Sequence, residues 1–274
     1  MTMTTSFVLV LILTTGVGGI ATSYAAGPEP TGTALQRETT TGFSSSIGLQ
    51  FDSGDYASAN TTDTWRIPFD ISYTQGNQFY GLHSAYVSAR SNGAIIISSS
   101  THARMFTASN RNADTVSGLA DINLYAGHIF AATPSTRYSL TAQIKLPTAD
   151  ADKGLGTGEA DVSLEAGILR RRTGGETIFA SLGYQFSGDS ATTDYANILF
   201  ASAGFSTAAQ QGRRLGVILD YAQATTAEFD SGLELRGFMG VDLATQRHLN
   251  FYALLGLSDG SPDYGAGMNY RYDY

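Results

Sequence analysis

The sequence predicts an all-β protein, a transmembrane antiparallel up-and-down β-barrel of about 12 strands. Three observations carry that reading. Over residues 264–274, Tyr264, Ala266, Met268, Tyr270, Tyr272 and Tyr274 fall on one face, and Gly265, Gly267, Asn269, Arg271 and Asp273 on the other. A period of two marks a strand whose faces meet unlike surroundings, and a row of tyrosines suits lipid and its interfaces. Next, charged residues make up 15% of the 274-residue chain and apolar residues only 42%. That is poor in charge for a soluble domain, yet too polar for helices that need runs of about 20 apolar residues. Alternating strands reconcile the two, because their hydropathy averages out. Finally, the connectors between alternating segments are themselves alternately short and long, as in single-chain outer-membrane barrels.

Taken in order, residues 7–17 form an apolar core followed by the small-residue exit Ser23-Tyr24-Ala25-Ala26. Residues 1–25 read as a secretory signal peptide cut near Ala25, although no Lys or Arg precedes the apolar run. Residues 26–41 hold Pro28, Pro30 and Gly32 and read as an extended leader, placed either in the periplasm or inside the lumen. Residues 42–274 read as the barrel.

Its segments alternate clearly. Phe43, Ile47, Leu49 and Phe51 share one face, as do Trp65, Ile67, Phe69, Ile71 and Tyr73. After a tight turn at Gln75-Gly76-Asn77 come Tyr80, Leu82 and Tyr86, then Ile122, Leu124, Ala126 and Phe130. Tyr138, Leu140, Ala142, Ile144 and Leu146 give the cleanest case, facing away from Arg137, Ser139, Thr141, Gln143 and Lys145. Further segments run through Ala160–Ile168, 178–186, 198–205, 215–221, 233–241 and 249–255. Pairing of the 43–51 segment with the last strand would close the sheet, which hydrocarbon demands because unpaired backbone groups cost several kcal/mol each there. In the long connector 91–117, the run Ala94-Ile95-Ile96-Ile97 either extends a hairpin above the membrane or folds inward as a constriction.

The inward parity carries the candidate lumen-lining charges: Arg66, Asp70, Asp121, Arg137, Lys145, Asp161, Glu165, Asp220, Glu234, Arg236 and Arg271, with Asp273. Mixed signs argue for pairing across neighbouring strands and against a strongly ion-selective pore. The net charge of −8 argues against nucleic acid as a partner. With no Cys there is neither a disulfide framework nor a thiolate metal site. His83, His102, His128 and His248 stand in no spacing that suggests a metal pair or a triad, so no catalytic residue, metal or cofactor is expected. His128 reads as an interfacial ring near a turn.

Four stretches carry a further signal: Ser117-Gly118-Leu119-Ala120-Asp121-Ile122; Leu146-Pro147-Thr148-Ala149-Asp150 running to Gly154-Leu155-Gly156-Thr157-Gly158; Leu182-Gly183-Tyr184; and Gly256-Leu257-Ser258-Asp259-Gly260-Ser261-Pro262-Asp263-Tyr264. Together they resemble the outer-membrane transporter family named for the MetA pathway of phenol degradation, over residues 41–274. Ala120 stands where that family usually has a second glycine. The resemblance implies a barrel that passes small, often aromatic or apolar, compounds. Read from the residues alone, Gly154, Gly156 and Gly158 allow positive φ in an outer loop, and Pro147 ends a strand. Asp150, Asp152 and Asp161 read as solvated loop carboxylates before they read as a cation site. The expected function is passive uptake of small solutes across the outer membrane. The alternative is a closed barrel whose outer loops recognise or adhere. The expected partners are outer-membrane lipid, the solute, and the barrel-assembly machinery, which would engage Tyr270, Tyr272 and Tyr274.

Overall fold

The computed structural model describes residues 41–274 apart from positions 57, 59, 92–95, 99–104, 108–114, 189–194, 209 and 228. The signal peptide and leader lie outside the described residues, Thr41 excepted. The strands are β1 (Gly42–Gly54), β2 (Thr62–Gln75), β3 (Gln78–Ser91), β4 (Ile96–Ser98), β5 (Met105–Thr107), β6 (Thr115–Leu119), β7 (Ile122–Thr133) and β8 (Thr136–Leu146). They continue as β9 (Asp161–Arg171), β10 (Thr177–Phe186), β11 (Ile198–Ser206), β12 (Arg213–Ala222), β13 (Gly232–Ala244), β14 (Arg247–Gly256) and β15 (Tyr264–Asp273).

Every wall strand pairs antiparallel with its sequence neighbours, and β1 pairs with β15 from Ser44↔Asp273 to Ser53↔Tyr264. The sheet is therefore closed, with no free edge for hydrocarbon to strip of hydrogen bonds. Twelve strands make the wall, with β6 continuing the line of β7. Between them the register against β3 slips by one residue, from Tyr86↔Leu119 to His83↔Asn123. The Ala120 amide donates to the Ala85 carbonyl across the slip, and the Ser84 hydroxyl donates to Ala120 O. Above it β6 leaves β8, which pairs with β7 only from Ile122↔Leu146 downward. The run 94–97 divides: Ile96–Ser98 pairs with Met105–Thr107 as a two-stranded ladder, while Ala94 and Ile95 lie outside the described residues.

The alternation read from the sequence is the inside–outside alternation of the wall. Ile47, Ile71, Leu182, Leu215 and Leu255 are each at least half exposed, while Ser46, Ser72, Ser181 and Asn250 on the opposite face are buried. A face of bare aliphatic side chains is favourable only in hydrocarbon. Outward aromatics gather at its two borders. Phe43, Tyr73, Tyr80, Phe130, Tyr138 and Tyr270 stand near the short turns; Phe51, Trp65, Tyr86, Tyr184, Phe186 and Tyr264 stand near the long loops. Several touch: Phe43–Tyr73 at 4.8 Å, Phe51–Trp65 at 4.9 Å and Tyr184–Phe186 at 5.0 Å between ring centroids. From Trp65 to Tyr73 the strand rises about 26 Å, or about 20 Å along the axis at a tilt near 40°. Such aromatic girdles flank the apolar band of a membrane barrel. His128 shares the outward parity of β7 at such a border, its ring 4.5 Å from Phe130.

Candidate functional site

The interior of the barrel is the candidate site, and its wall has tiers. Near the long loops it is charged. Arg66 on β2 pairs with Asp52 on β1, and the Tyr56 hydroxyl donates to Asp52 at 3.3 Å. Tyr56 has a left-handed backbone (φ 52°), rare for a residue with a Cβ, and its ring packs against Phe229. Burial, reinforced by the Asp52 carboxylate, holds the Tyr56 phenol well above its ordinary pKa. Arg236 on β13 lies 3.4 Å from both Asp220 on β12 and Glu234, with its guanidinium 5.5 Å from the Tyr252 ring centre. Cation–π contact of this kind helps hold a guanidinium that two carboxylates alone would share.

Lys145 is the hub of the third charged group. Its Nζ is 2.7 Å from Asp161, 3.4 Å from Asp121 and 2.7 Å from Thr157 Oγ1, to which it donates. Asp121 also accepts the Ala149 amide at 2.9 Å, and Thr148 Oγ1 accepts the Ile122 amide at 2.9 Å. The loop that follows Pro147 is thereby folded back over the wall, and Leu155 packs among Ala85, Val87, Ala89 and Val116. Gly154 and Gly158 have positive φ (69° and 76°), as expected of that loop. Gly156 does not; it is needed because a Cβ there would meet the Asp121 carboxylate at 2.7 Å and Ala149 at 2.9 Å. Asp150 is exposed; it caps the short 3₁₀ turn Ala151–Lys153, and its bonds to Lys153 hold its carboxyl below the ordinary range. Asp161 does not join Asp150 and Asp152 in the loop. It is buried on the inward face of β9, because strand parity points it at Lys145. Among the described residues no group of three acidic or imidazole side chains is placed to hold a metal ion.

The other loop motif closes the rim between β13 and β15. Ser258 Oγ accepts the Leu233 amide at 2.8 Å and donates to Ser231 O at 2.8 Å, and Ser261 donates to Leu233 O. Pro262 packs on Gly54 and Gly256, where a Cβ would strike it. Partial burial, then the Asp55 and Asp259 carboxylates, raise the Asp263 carboxyl.

At the short-turn end Arg271 donates to Asp273 at 2.8 Å and to Ser44 at 2.9 Å, and His248 lies 2.6 Å from Asp242 and 3.3 Å from Asp273. Higher up, Asp70 accepts the Tyr125 hydroxyl at 2.8 Å. Arg137 and Glu165 also face inward, on β8 and β9. All eleven inward charges read from the sequence thus sit on the inner face or its rim: most of them in four charged groups, Asp70 with Tyr125, and Arg137 and Glu165. Asp52, His83, Asp242 and His248 belong there too, beyond those the alternation in the sequence points to.

The larger omission is apolar. Phe79, Tyr125, Ile129, Leu169, Phe179, Ile218 and Phe238 face inward as one cluster, Phe79 0% and Phe179 1% exposed, with Tyr252 packed against it. The cluster takes side chains from β3, β7, β9, β10, β12 and β13, from mid-strand to the short-turn end. Its rings lie against glycines on the neighbouring strand. Phe79 faces Gly127 while Tyr125 faces Gly81, and Phe179 faces Gly204 while Phe200 faces Gly183; Phe238 faces Gly216 and Tyr252 faces Gly267. A Cβ on any of these six glycines would run into the ring. Aromatic cover of a strand glycine in this way restores the packing that the missing side chain gives up. Gly204→Ala is expected to cost about 1–3 kcal/mol by overpacking against Phe179, seen as a lower temperature for loss of the compact, heat-modifiable band on a gel. The arc on β15, β1 and β2, which gives no side chain to this cluster, is polar, and His83 on β3 borders it: Asn269, Ser46, Gln50, Thr64, Ser72 and His83 are all buried there. Hydroxyls also stand among the rings, at Ser139, Thr141, Ser163 and Ser181 on β8, β9 and β10, so the apolar cluster is set within a polar wall.

Solved structures share this architecture. An outer-membrane channel from Pseudomonas putida F1 superimposes with TM-score 0.63 at 12% identity, covering 86% of this chain and 96% of that one. The monoaromatic hydrocarbon channel CymD gives 0.51 at 12% identity, covering 93% and 95%. The Pseudomonas putida toluene transporter TodX gives 0.50 at 12% identity, covering 94% and 96%. A search of curated protein sequences finds no match. The family model described as the MetA-pathway of phenol degradation matches residues 85–274, which takes in the slip at Ala120, the Lys145 hub, both loop motifs and most of the apolar cluster. By that match over most of its length, the chain belongs to the family of the MetA pathway of phenol degradation.

Proposed function

We propose that the protein is an outer-membrane channel through which small apolar or aromatic solutes pass down their gradients into the periplasm. The observation that carries this reading is the inward apolar cluster. A zone of rings and aliphatic side chains offers ions and sugars no replacement for their hydration, whereas an apolar solute loses nothing by entering it. The names of CymD and TodX, a monoaromatic hydrocarbon channel and a toluene transporter, agree with it. In this reading the charged groups around Arg66, Asp70, Lys145, Asp161, Asp220, Glu234, Arg236 and Arg271 fill and brace the wall and keep the approaches wet, and Arg137 and Glu165 line the lower passage. The outer-loop residues Pro147, Thr148, Asp150, Gly154, Gly156, Gly158, Ser258, Asp259, Pro262 and Asp263 shape the outer mouth. Residues 1–25 export the chain, and Tyr270, Tyr272 and Tyr274 present the last strand to the assembly machinery.

The test is flux into proteoliposomes. Toluene or phenol is expected to enter at least about tenfold faster than a sugar of similar size, because the apolar zone selects against hydrated solutes. Phe179→Ala with Phe238→Ala is expected to narrow that ratio by admitting the sugar. Equal rates for both solutes would overturn the selectivity, and no flux above protein-free vesicles would leave a closed barrel whose outer loops bind something.

A further inference from the structure

The outer surface of the wall carries a charge asymmetry that transport does not use. At the short-turn end Arg170, Arg213 and Arg247 are the last outward residues of β9, β12 and β14, and all three are exposed. Each stands one outward step beyond an aliphatic residue: Ile168, Leu215 and Leu249. Their neighbours in register are Ile178, Val241 and Tyr272, so the guanidinium groups sit at the border of the apolar band. Among the described residues none of the three forms a salt bridge. Asp242, the nearest carboxylate to the β13–β14 turn, faces the lumen and is engaged by His248, and Glu176 packs over Gly174 in the β9–β10 turn. At the opposite rim the exposed charges are mostly carboxylates, among them Asp55, Asp63, Asp230, Asp259 and Asp263.

We propose that Arg170, Arg213 and Arg247 form a docking arc for the phosphates of anionic glycerophospholipid in the leaflet on the short-turn side. The inference rests on the membrane-barrel reading, though not on solute transport. A guanidinium offers a phosphate two parallel donors and holds its charge at every physiological pH. Two strand spacings separate Arg213 from Arg247 and three separate Arg170 from Arg213, about 10 Å and about 14 Å around the wall. At such spacing each guanidinium takes its own headgroup, while the acyl chains lie along the aliphatic residues above. The acidic rim at the other end repels the same headgroups, so the arc also fixes which way round the barrel prefers to sit.

The experiment uses the whole barrel in nanodiscs of phosphatidylcholine containing a quarter phosphatidylglycerol, with retained lipids counted by native mass spectrometry. The wild type is expected to keep phosphatidylglycerol in several-fold excess over its share of the bilayer, since each basic residue at an anionic surface contributes about fivefold. The combined change Arg170→Gln, Arg213→Gln, Arg247→Gln is expected to return the ratio to that of the bilayer. The corresponding triple change to Lys, which keeps the charge, should retain most of the excess. No excess in the wild type, or an undiminished excess in the Gln variant, would overturn the proposal. Aromatic flux measured on the same proteins keeps the two readings apart: flux should be the same in wild type and Gln variant, and its absence in both would count against the channel while leaving the lipid result standing.

Discussion

Replacing Lys145 by Met is expected to lower the stability of the folded barrel by about 3–5 kcal/mol, the usual cost of removing one partner from a buried ion pair. The ammonium is nearly enclosed, with its side chain 12% exposed, and it is the cation between Asp161 and Asp121, whose side chains are 2% and 8% exposed. Without it two carboxylates face each other under the folded-back loop, and Thr157 loses the donor that holds Gly156 and Leu155 in place. Urea titration followed by the fluorescence of Trp65, the single tryptophan, measures the loss. Adding Asp161→Asn to Lys145→Met should recover part of it, because the surplus negative charge goes. A loss below about 1 kcal/mol would mean the group behaves as an exposed surface pair.

Val217→Arg is the second large effect, expected at about 2–4 kcal/mol, as for a cation placed at the bilayer midplane on the lipid face of a barrel. Val217 is half exposed and lies midway along β12, between Phe205 and Gly237 in register. The same change at Leu215, one outward step from Arg213, should cost only about 0–1 kcal/mol, because the guanidinium reaches the interface. The comparison is made by urea titration after refolding into phospholipid vesicles. Equal costs at the two positions would mean that no hydrocarbon gradient runs along the outer wall.

Legibility of the fold followed the range of the interactions that make it. The outward face could be read because its rule is local: residues two apart in β2 or β8 meet the same lipid. The closure of β1 on β15 could be anticipated because a membrane sheet must not end. The charged residues could be read by the same parity, except Asp52 and Asp242, each one residue beyond the point, Phe51 and Val241, where the alternation in the sequence ends. The apolar cluster was hidden for a different reason. Phe179 means little without Gly204, and Phe238 little without Gly216, and these partners are brought together only by strand register. A local trace does exist, in Phe79-Tyr80-Gly81 and Tyr125-Ala126-Gly127, where ring and glycine share the inward parity of each strand. The loop motifs could be recognised by their residues but not understood from them. Gly156 shows this, since what it avoids is the carboxylate of Asp121, 35 positions earlier.

The rings that occupy the space over glycines have a consequence for how wide such a tube can be. Strand number and tilt set the diameter of the backbone cylinder, but the free bore is that diameter less whatever stands up from the wall. A ring seated against bare backbone stands closer to the wall than one over a side chain, and a single added methyl beneath it would push it toward the axis. Calibre in this architecture can therefore be trimmed one carbon at a time, at six separate stations, with the cylinder itself unchanged.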